Sequence, residues 1–77
     1  MTEKTKLVLK YLQDSDREDI TASEIAMAYG MTTRQVDGIF TAAIQRPALG
    51  SRVPDRKSPK IKYLVLNEAG RAVLIND

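Results

Sequence analysis

The 77-residue chain has no cysteine, no histidine and no tryptophan. Without cysteine there is no disulfide staple and no thiolate ligand, and without histidine no imidazole for a metal. The same two absences remove the commonest reactive nucleophile and the commonest general base of enzymes, so neither catalysis nor a metal or other cofactor is expected. Aromatic residues are few: Phe40, Tyr11, Tyr29 and Tyr63. The core is therefore expected to be aliphatic, with Tyr11, Tyr29 and Phe40 inside it or at its edge, while Tyr63 packs on a helix or stacks on a base or sugar. Apolar runs are also short. The stretch Tyr63 to Leu66 is among the longest, far below the roughly 18 residues that span a bilayer. No membrane or targeting segment is visible, and a soluble, cytoplasmic, nucleoid-associated chain is expected. What remains is ordinary for a globular protein, 43% hydrophobic and 29% charged, too apolar to stay disordered. A chain of this size buries only about 60% of its unfolded surface, which leaves room for one small core and one domain over residues 1–77.

The net charge of +2 conceals a segregation. Residues 1–30 hold four cations against six carboxylates, net −2, whereas residues 31–77 hold eight against four, net +4. Most of the positive charge lies between Arg34 and Lys62, an asymmetry that favours an anionic partner, nucleic acid first. A merely solvated basic loop is the plainer alternative. The acidic run Asp14 to Asp19 lacks the glycine and distal glutamate of a calcium loop and reads as a turn.

Hydrophobic spacing organises the chain. Leu7, Val8, Tyr11 and Leu12 mark one face of a helix over about Glu3 to Gln13, with Thr2 as its N-cap. Thr21-Ala22-Ser23-Glu24 is a capping-box sequence, flanked by Ile20 and Ile25 at the positions of a hydrophobic staple. The helix it starts carries Ile25, Ala26 and Tyr29 inward and ends at Gly30. Thr32-Thr33-Arg34-Gln35 repeats the syntax, with Met31 and Val36 as a second staple. The third helix runs from Thr33 to Gln45 or Arg46, with Val36, Ile39 or Phe40, Ala43 and Ile44 inward, until Pro47 stops it. Two capped helices separated by about three residues make a helix-turn-helix over about 21–46.

The period then changes. Leu49 to Val53 and Lys60 to Leu66 read as two strands of a hairpin joined by the polar turn Pro54 to Pro59, a wing over about 49–66. Both the Ile61, Tyr63, Val65 set and the Leu64, Leu66 set are apolar, so the register stays open. Asn67 caps a last helix over Glu68 to Ile75, whose Ala69, Val73 and Ala72 or Ile75 would pack inward, although Gly70 weakens its first turn. The chain is thus expected to be mainly α with a small β-hairpin, an α+β arrangement.

This order of elements resembles a winged helix-turn-helix domain: a three-helix core, a wing and a C-terminal helix. Ala26 resembles the small residue that lets the two helices approach, Gly30 the turn glycine four positions later, and Val36 and Ile39 the pair that anchors the recognition helix. The stretch Tyr63 to Arg71, with Leu66-Asn67-Glu68-Ala69-Gly70-Arg71 at its end, resembles the close of the wing in MarR-like regulators, where Leu-Thr and an acidic residue precede Gly-Arg. Here Asn67 replaces the usual threonine.

The resemblance implies double-stranded DNA as partner, with the third helix (33–46) in the major groove and the wing on the backbone or in the minor groove. Exposed side chains at the start of such a helix meet base edges and its backbone N–H groups face phosphate. The implied DNA-binding residues are Thr32, Thr33, Arg34, Gln35, Asp37, Thr41 and Arg46 on the helix, and Arg52, Arg56, Lys57, Lys60 and Lys62 on the wing. Arg34 suits a bidentate contact to guanine; its plainer role is an i, i+3 pair with Asp37. Thr33 suits a phosphate or a thymine methyl, and Gln35 is shared between capping and contact. Asp37 is a departure, because a carboxylate beside phosphates is repelled unless it pairs with Arg34 or accepts from cytosine N4. Gly38 costs about 1 kcal/mol of helix stability relative to alanine, which close approach to DNA or another helix would explain. Arg46 serves a phosphate or the helix C-terminus, and the wing cations give affinity without a base code.

The expected function is a small prokaryotic or phage DNA-binding protein, a transcriptional regulator or accessory factor, acting without chemistry and without a small-molecule ligand. A homodimer through helix one or the last helix would raise its affinity. The alternative is a protein–protein adaptor that does not touch DNA, favoured by Asp37 and by the acidic first 30 residues.

Overall fold

The computed structural model describes residues 2–75. Helix α1 spans Glu3–Asp14 and is capped by Thr2, whose hydroxyl accepts from the Thr5 N–H. Its inward face is Val8, Leu9 and Leu12. Leu7, expected inside, is exposed, and Tyr11 lies at the margin. A shift of the stripe by one position toward Leu9 rotates the helix by about 100° of arc per residue, enough to move Leu7 off the core.

Helix α2 (Ala22–Tyr29) ends where Gly30 takes the left-handed conformation at φ 64°, and α3 begins at Thr33. The second capping box forms in both directions: Thr32 Oγ accepts from the Gln35 N–H at 3.1 Å, and Gln35 Oε1 accepts from the Thr32 N–H at 3.0 Å. The first forms only by half. Thr21 Oγ accepts from the Glu24 N–H, but the Glu24 carboxylate turns away to Arg17 and Tyr11. A guanidinium offers the carboxylate two bonds from a cation where the Thr21 N–H offers one bond from a neutral donor. Ile20 and Ile25, the staple pair, are both buried.

Helix α3 is regular over Thr33–Phe40 and continues as a π-helical segment, Thr41–Gln45, in which the Arg46 N–H reaches back five residues to the Thr41 carbonyl. The sequence pattern carried no sign of this widening. Val36, Phe40 and Ile44, spaced by four, are all fully buried. Spacing by four drifts by about 40° each time on an ideal α-helix, and the wider turn rotates Ile44 back over the core.

Strands β1 (Gly50–Pro54) and β2 (Lys62–Leu66) form the antiparallel hairpin, with Gly50 opposite Leu66, Arg52 opposite Leu64 and Pro54 opposite Lys62. The Leu64 and Leu66 set is therefore the inward one, and Ile61 is exposed. The Leu64 N–H also donates to the Ile20 carbonyl at 2.8 Å, which ties the strand to the entry of α2.

Helix α4 is a single turn, Glu68–Arg71, and not the longer helix to Ile75 expected from spacing. Ala69 and Ala72 are exposed, while Val73 and Ile75 pack partly against the core from non-helical backbone. The Gln13 amide holds that backbone, donating to the carbonyls of Gly70 and Val73. Gly70 is required by close approach: a Cβ there would lie 2.1 Å from the Leu49 carbonyl oxygen. Asn67 both caps and ties, since its Oδ1 accepts from the Gly70 N–H while its Nδ2 donates to the Ala48 carbonyl at 2.7 Å. A threonine hydroxyl, with one proton and a shorter reach, makes the cap without the tie.

Candidate nucleic-acid interface

Helix α3 lies between two grooves. One is lined by Thr33 and Asp37 from α3, Thr21 and Ser23 from the start of α2, and Lys60 and Lys62 from the wing. The other is lined by Arg34 and Gly38 from α3, with Thr2 and Lys4 from the start of α1. The exposed face of α3 is thus flanked by Lys60 and Lys62 on the wing side and by Lys4 next to Glu3 on the α1 side. Lys4 and Ser23 were not singled out in the sequence, because nothing in a linear pattern places the first residues of α1 and α2 beside α3. Arg46, Arg56 and Lys57 line neither groove. Arg46 is exposed at the end of the π-helical segment, and Arg56 and Lys57 are exposed on the hairpin turn.

Arg52 departs most from expectation. Expected among the DNA-facing cations of the wing, it stands opposite Leu64 in the hairpin and so points to the core side. Its guanidinium stacks on the Phe40 ring, 4.9 Å from the centroid. One nitrogen donates to the Asp37 carbonyl (3.1 Å), Asp37 Oδ1 (3.3 Å) and Thr41 Oγ (3.1 Å), and another to Gln45 Oε1. Only 23% of the side chain is exposed. Strand β1 is therefore fastened to both the regular and the π-helical parts of α3. Asp37, expected to pair with Arg34 or face phosphates, pairs with Arg52 instead, because the inward register of β1 delivers a guanidinium that is already partly desolvated.

The other wing cations are differently placed. Arg56, Lys57, Lys60 and Lys62 are all exposed and take part in no ion pair among the described residues. The carboxylate closest to them in sequence, Asp55, is occupied. Its Oδ1 accepts from the Tyr63 hydroxyl at 2.9 Å and its Oδ2 from the N–H groups of Lys57 and Ser58. The Tyr63 hydroxyl, followed by the Ser58 N–H, holds the Asp55 carboxyl below its ordinary range, and the carboxylate in turn pushes the Tyr63 phenol up. Tyr63 thus braces the wing turn through its hydroxyl. The turn is ordered by Asp55 and presents its cations outward.

On α3 itself, Thr32 and Gln35 spend their side chains on the capping box. Thr33 and Arg34 are exposed and make no side-chain hydrogen bond among the described residues. Away from this face, Arg17 grips Glu24 with two bonds of 2.9 and 2.7 Å and reaches Asp19 at 2.8 Å, while the Tyr11 hydroxyl donates to Glu24 at 2.6 Å. The Arg17 guanidinium, then the Tyr11 hydroxyl, holds the Glu24 carboxyl below its ordinary range. Part of the acidic front half is therefore internally neutralised. No group of three or more acidic side chains with metal-holding geometry occurs among the described residues, and no helix of the described residues is long and apolar enough to cross a membrane.

The fold is found in solved structures. A point mutant of Staphylococcus aureus MepR superposes with a TM-score of 0.80 at 26% identity, over 91% of this chain and 50% of that one. The S. aureus MepR–DNA complex does so with 0.79 at 24%, over 92% and 56%, MepR being a transcription regulator of the multidrug efflux pump MepA. CouR from Rhodococcus jostii, bound to p-coumaroyl-CoA, gives 0.75 at 21%, over 92% and 48%. The chain spans about half the length of these structures. No family model and no curated protein matches it. Helices with a two-stranded antiparallel hairpin in this order are the winged helix-turn-helix fold, as the resemblance to MarR-like regulators implied.

Proposed function

We propose that this chain binds duplex DNA through the start of α3 and the outer face of the wing, as part of transcription regulation and without chemistry of its own. The observation that carries the reading is the groove between α3 and the wing, in which the exposed helix start is bordered by Lys60 and Lys62; on the other side of the helix Arg34 lines a groove with Lys4 and Glu3. Arg56 and Lys57 extend the same charge along the hairpin turn. A rod of phosphates is the partner such a surface fits, with the helix against base edges and the cations along the strands. The likeness in fold to MepR, one of whose structures is a complex with DNA, supports this reading.

The adaptor reading rested on the free Asp37 carboxylate and on the acidic front half. Asp37 is matched by Arg52, and Glu24 and Asp19 by Arg17, so both supports are weakened. The expectation that no small molecule takes part stands against CouR, which was solved with p-coumaroyl-CoA, and forms no part of the proposal. A second copy, pairing through α1 or the C-terminal segment where Leu74 is exposed, would extend the roughly 600–1,000 Å² that a lone module covers.

The test is binding to a labelled duplex of about 20 base pairs at two or more salt concentrations. Four free wing cations on phosphates give a slope of log affinity against log salt of roughly −4. Reversing charge at Arg34, Arg56 and Lys57 abolishes the binding. No binding at low salt, or binding indifferent to salt, rejects the proposal.

A further inference from the structure

We infer that the corner between the end of α1 and the end of α2 is a docking site for an arginine side chain carried on a basic protein segment. The rings of Tyr11 and Tyr29 stand edge to face there, with centroids 5.9 Å apart and planes at 81°, so they form two walls that meet at a right angle. With Asp14 and Ser15 they line a cleft of about 290 Å³. Both tyrosines are half-buried, which leaves part of each ring open to the cleft. The Tyr11 hydroxyl donates to Glu24 at 2.6 Å, and that bond pushes the phenol up. A phenol that gives its proton toward a carboxylate has a more electron-rich ring, and the face of such a ring attracts a cation.

The backbone and the rim of the corner favour the same sign of charge. Helix α1 ends at Asp14 with no basic residue in its last turn, and its cap, Ser15, is extended. Among the described residues no backbone N–H from beyond the helix returns to the carbonyls of residues 11–14. The negative end of the helix dipole and the Asp14 carboxylate therefore lie together beside the rings, where a cation is stabilised. Asp14, Asp16 and Glu18 are exposed and take part in no ion pair among the described residues, whereas Arg17 is spent on Glu24 and Asp19. Lys10 and Arg71 line a second cleft with Asp14, yet neither pairs with it; Arg71 instead reaches the Ser15 carbonyl at 3.5 Å. A guanidinium suits the corner because it stacks flat on one ring and keeps its edge donors for Asp14. The cleft, lined by only four residues, does not enclose a free ligand as small-molecule sites do. A cation delivered on a chain gains more, since Asp16 and Glu18 continue the negative surface for its basic neighbours. None of the four lining residues borders either groove beside α3, so such a segment and a duplex address different faces.

The experiment is titration of the full chain at low salt with a capped peptide, Gly-Arg-Lys-Gly-Arg-Gly, followed through the ring and amide NMR signals of the protein. A second peptide carries citrulline, which keeps the shape of arginine without its charge. The arginine peptide is expected to shift the ring protons of Tyr11 and Tyr29 and the Ser15 amide, to bind at least about 5-fold more tightly than the citrulline peptide, and to be released by about 0.5 M salt. Tyr29→Leu and Asp14→Asn are each expected to weaken it by about 2- to 5-fold. Asp14→Asn takes an acid away from the negative end of a helix and leaves the fold intact, so its effect on binding stays readable even if Tyr29→Leu disturbs the packing. No shift at either ring, equal binding of the citrulline peptide, or full affinity in Asp14→Asn overturns the inference. Tetramethylammonium chloride binding as tightly as the arginine peptide also overturns it, because the corner then takes free organic cations and gains nothing from a chain.

Discussion

Replacing Arg52 by methionine removes the guanidinium while keeping a long apolar stem under the hairpin. The wild-type group makes hydrogen bonds to Asp37, Thr41 and Gln45 and stacks on Phe40, with 23% of the side chain exposed. The ion pair itself is worth little: Asp37 is about half exposed, and such pairs contribute about 0.2–1 kcal/mol. The cation over the ring adds roughly 0.5–1 kcal/mol. Hydrogen bonds from a charged donor lie near 1.5 kcal/mol in buried settings, and partial exposure reduces the three neutral-acceptor bonds together to about 1–2 kcal/mol. Methionine recovers part of the contact with Phe40, so the expected loss is about 2 kcal/mol. For a domain of this size that lowers Tm by roughly 8–16 °C, measurable by circular dichroism on heating and by urea titration. Asp37→Asn, which removes only the charge of one acceptor, should cost under about 1 kcal/mol. If Arg52→Met stays within about 0.5 kcal/mol of wild type, or if Asp37→Asn proves as damaging as Arg52→Met, the idea that the arginine fastens the wing through several weak bonds acting together is refuted.

Acid should weaken the fold through Glu24, Asp19 and Asp55, whose carboxyls are all held below their ordinary values. Because the unfolded chain takes up these protons first, stability is full above the ordinary carboxyl range and is lost as pH falls through it and on through the lower folded values. Urea midpoints measured between about pH 7 and 3 should fall with acid, and Glu24→Gln should flatten the fall; an unchanged pH profile in that variant contradicts the role given to Glu24. Among the glycines, Gly70→Ala should destabilise by about 1–3 kcal/mol because a Cβ meets the Leu49 carbonyl. Gly38→Ala has open space around it and should stabilise α3 by up to about 1 kcal/mol; equal effects of the two in thermal melts would discredit the assigned environments. Asp55→Ala should speed amide exchange at Lys57 and Ser58 while leaving the α1 core amides unchanged, and protection retained at both sites would mean that the turn is held by something else.

Much of the fold was legible because its signals are local. The caps Thr2, Thr21, Thr32 and Asn67 and the stop at Gly30 each depend on bonds within about four residues, and those bonds form as expected. The failures share a different cause. Glu24 has the right spacing for a capping box, but Arg17, brought near by the acidic loop, outcompetes the backbone. Apolar spacing predicts a last helix to Ile75, whereas tertiary bonds from Gln13 hold residues 70 and 73.

The candidate site divides along the same line. The distribution of charge along the chain favoured an anionic partner, and the repeated capping syntax located the helix that would meet it. Which charges are free could not be read, because strand register was undecided between two apolar sets. Once Leu64 and Leu66 turn inward, Arg52 must follow them to the core side, and with it go Asp37, Thr41 and Gln45. Legible along the chain were the order of the elements, their caps and the segregation of charge, since each follows from near neighbours; the short α4 and the π-helical end of α3 were not. The tertiary structure alone decided which polar groups are spent and which remain for a partner, because that depends on side chains brought together by the hairpin from residues 37 to 52.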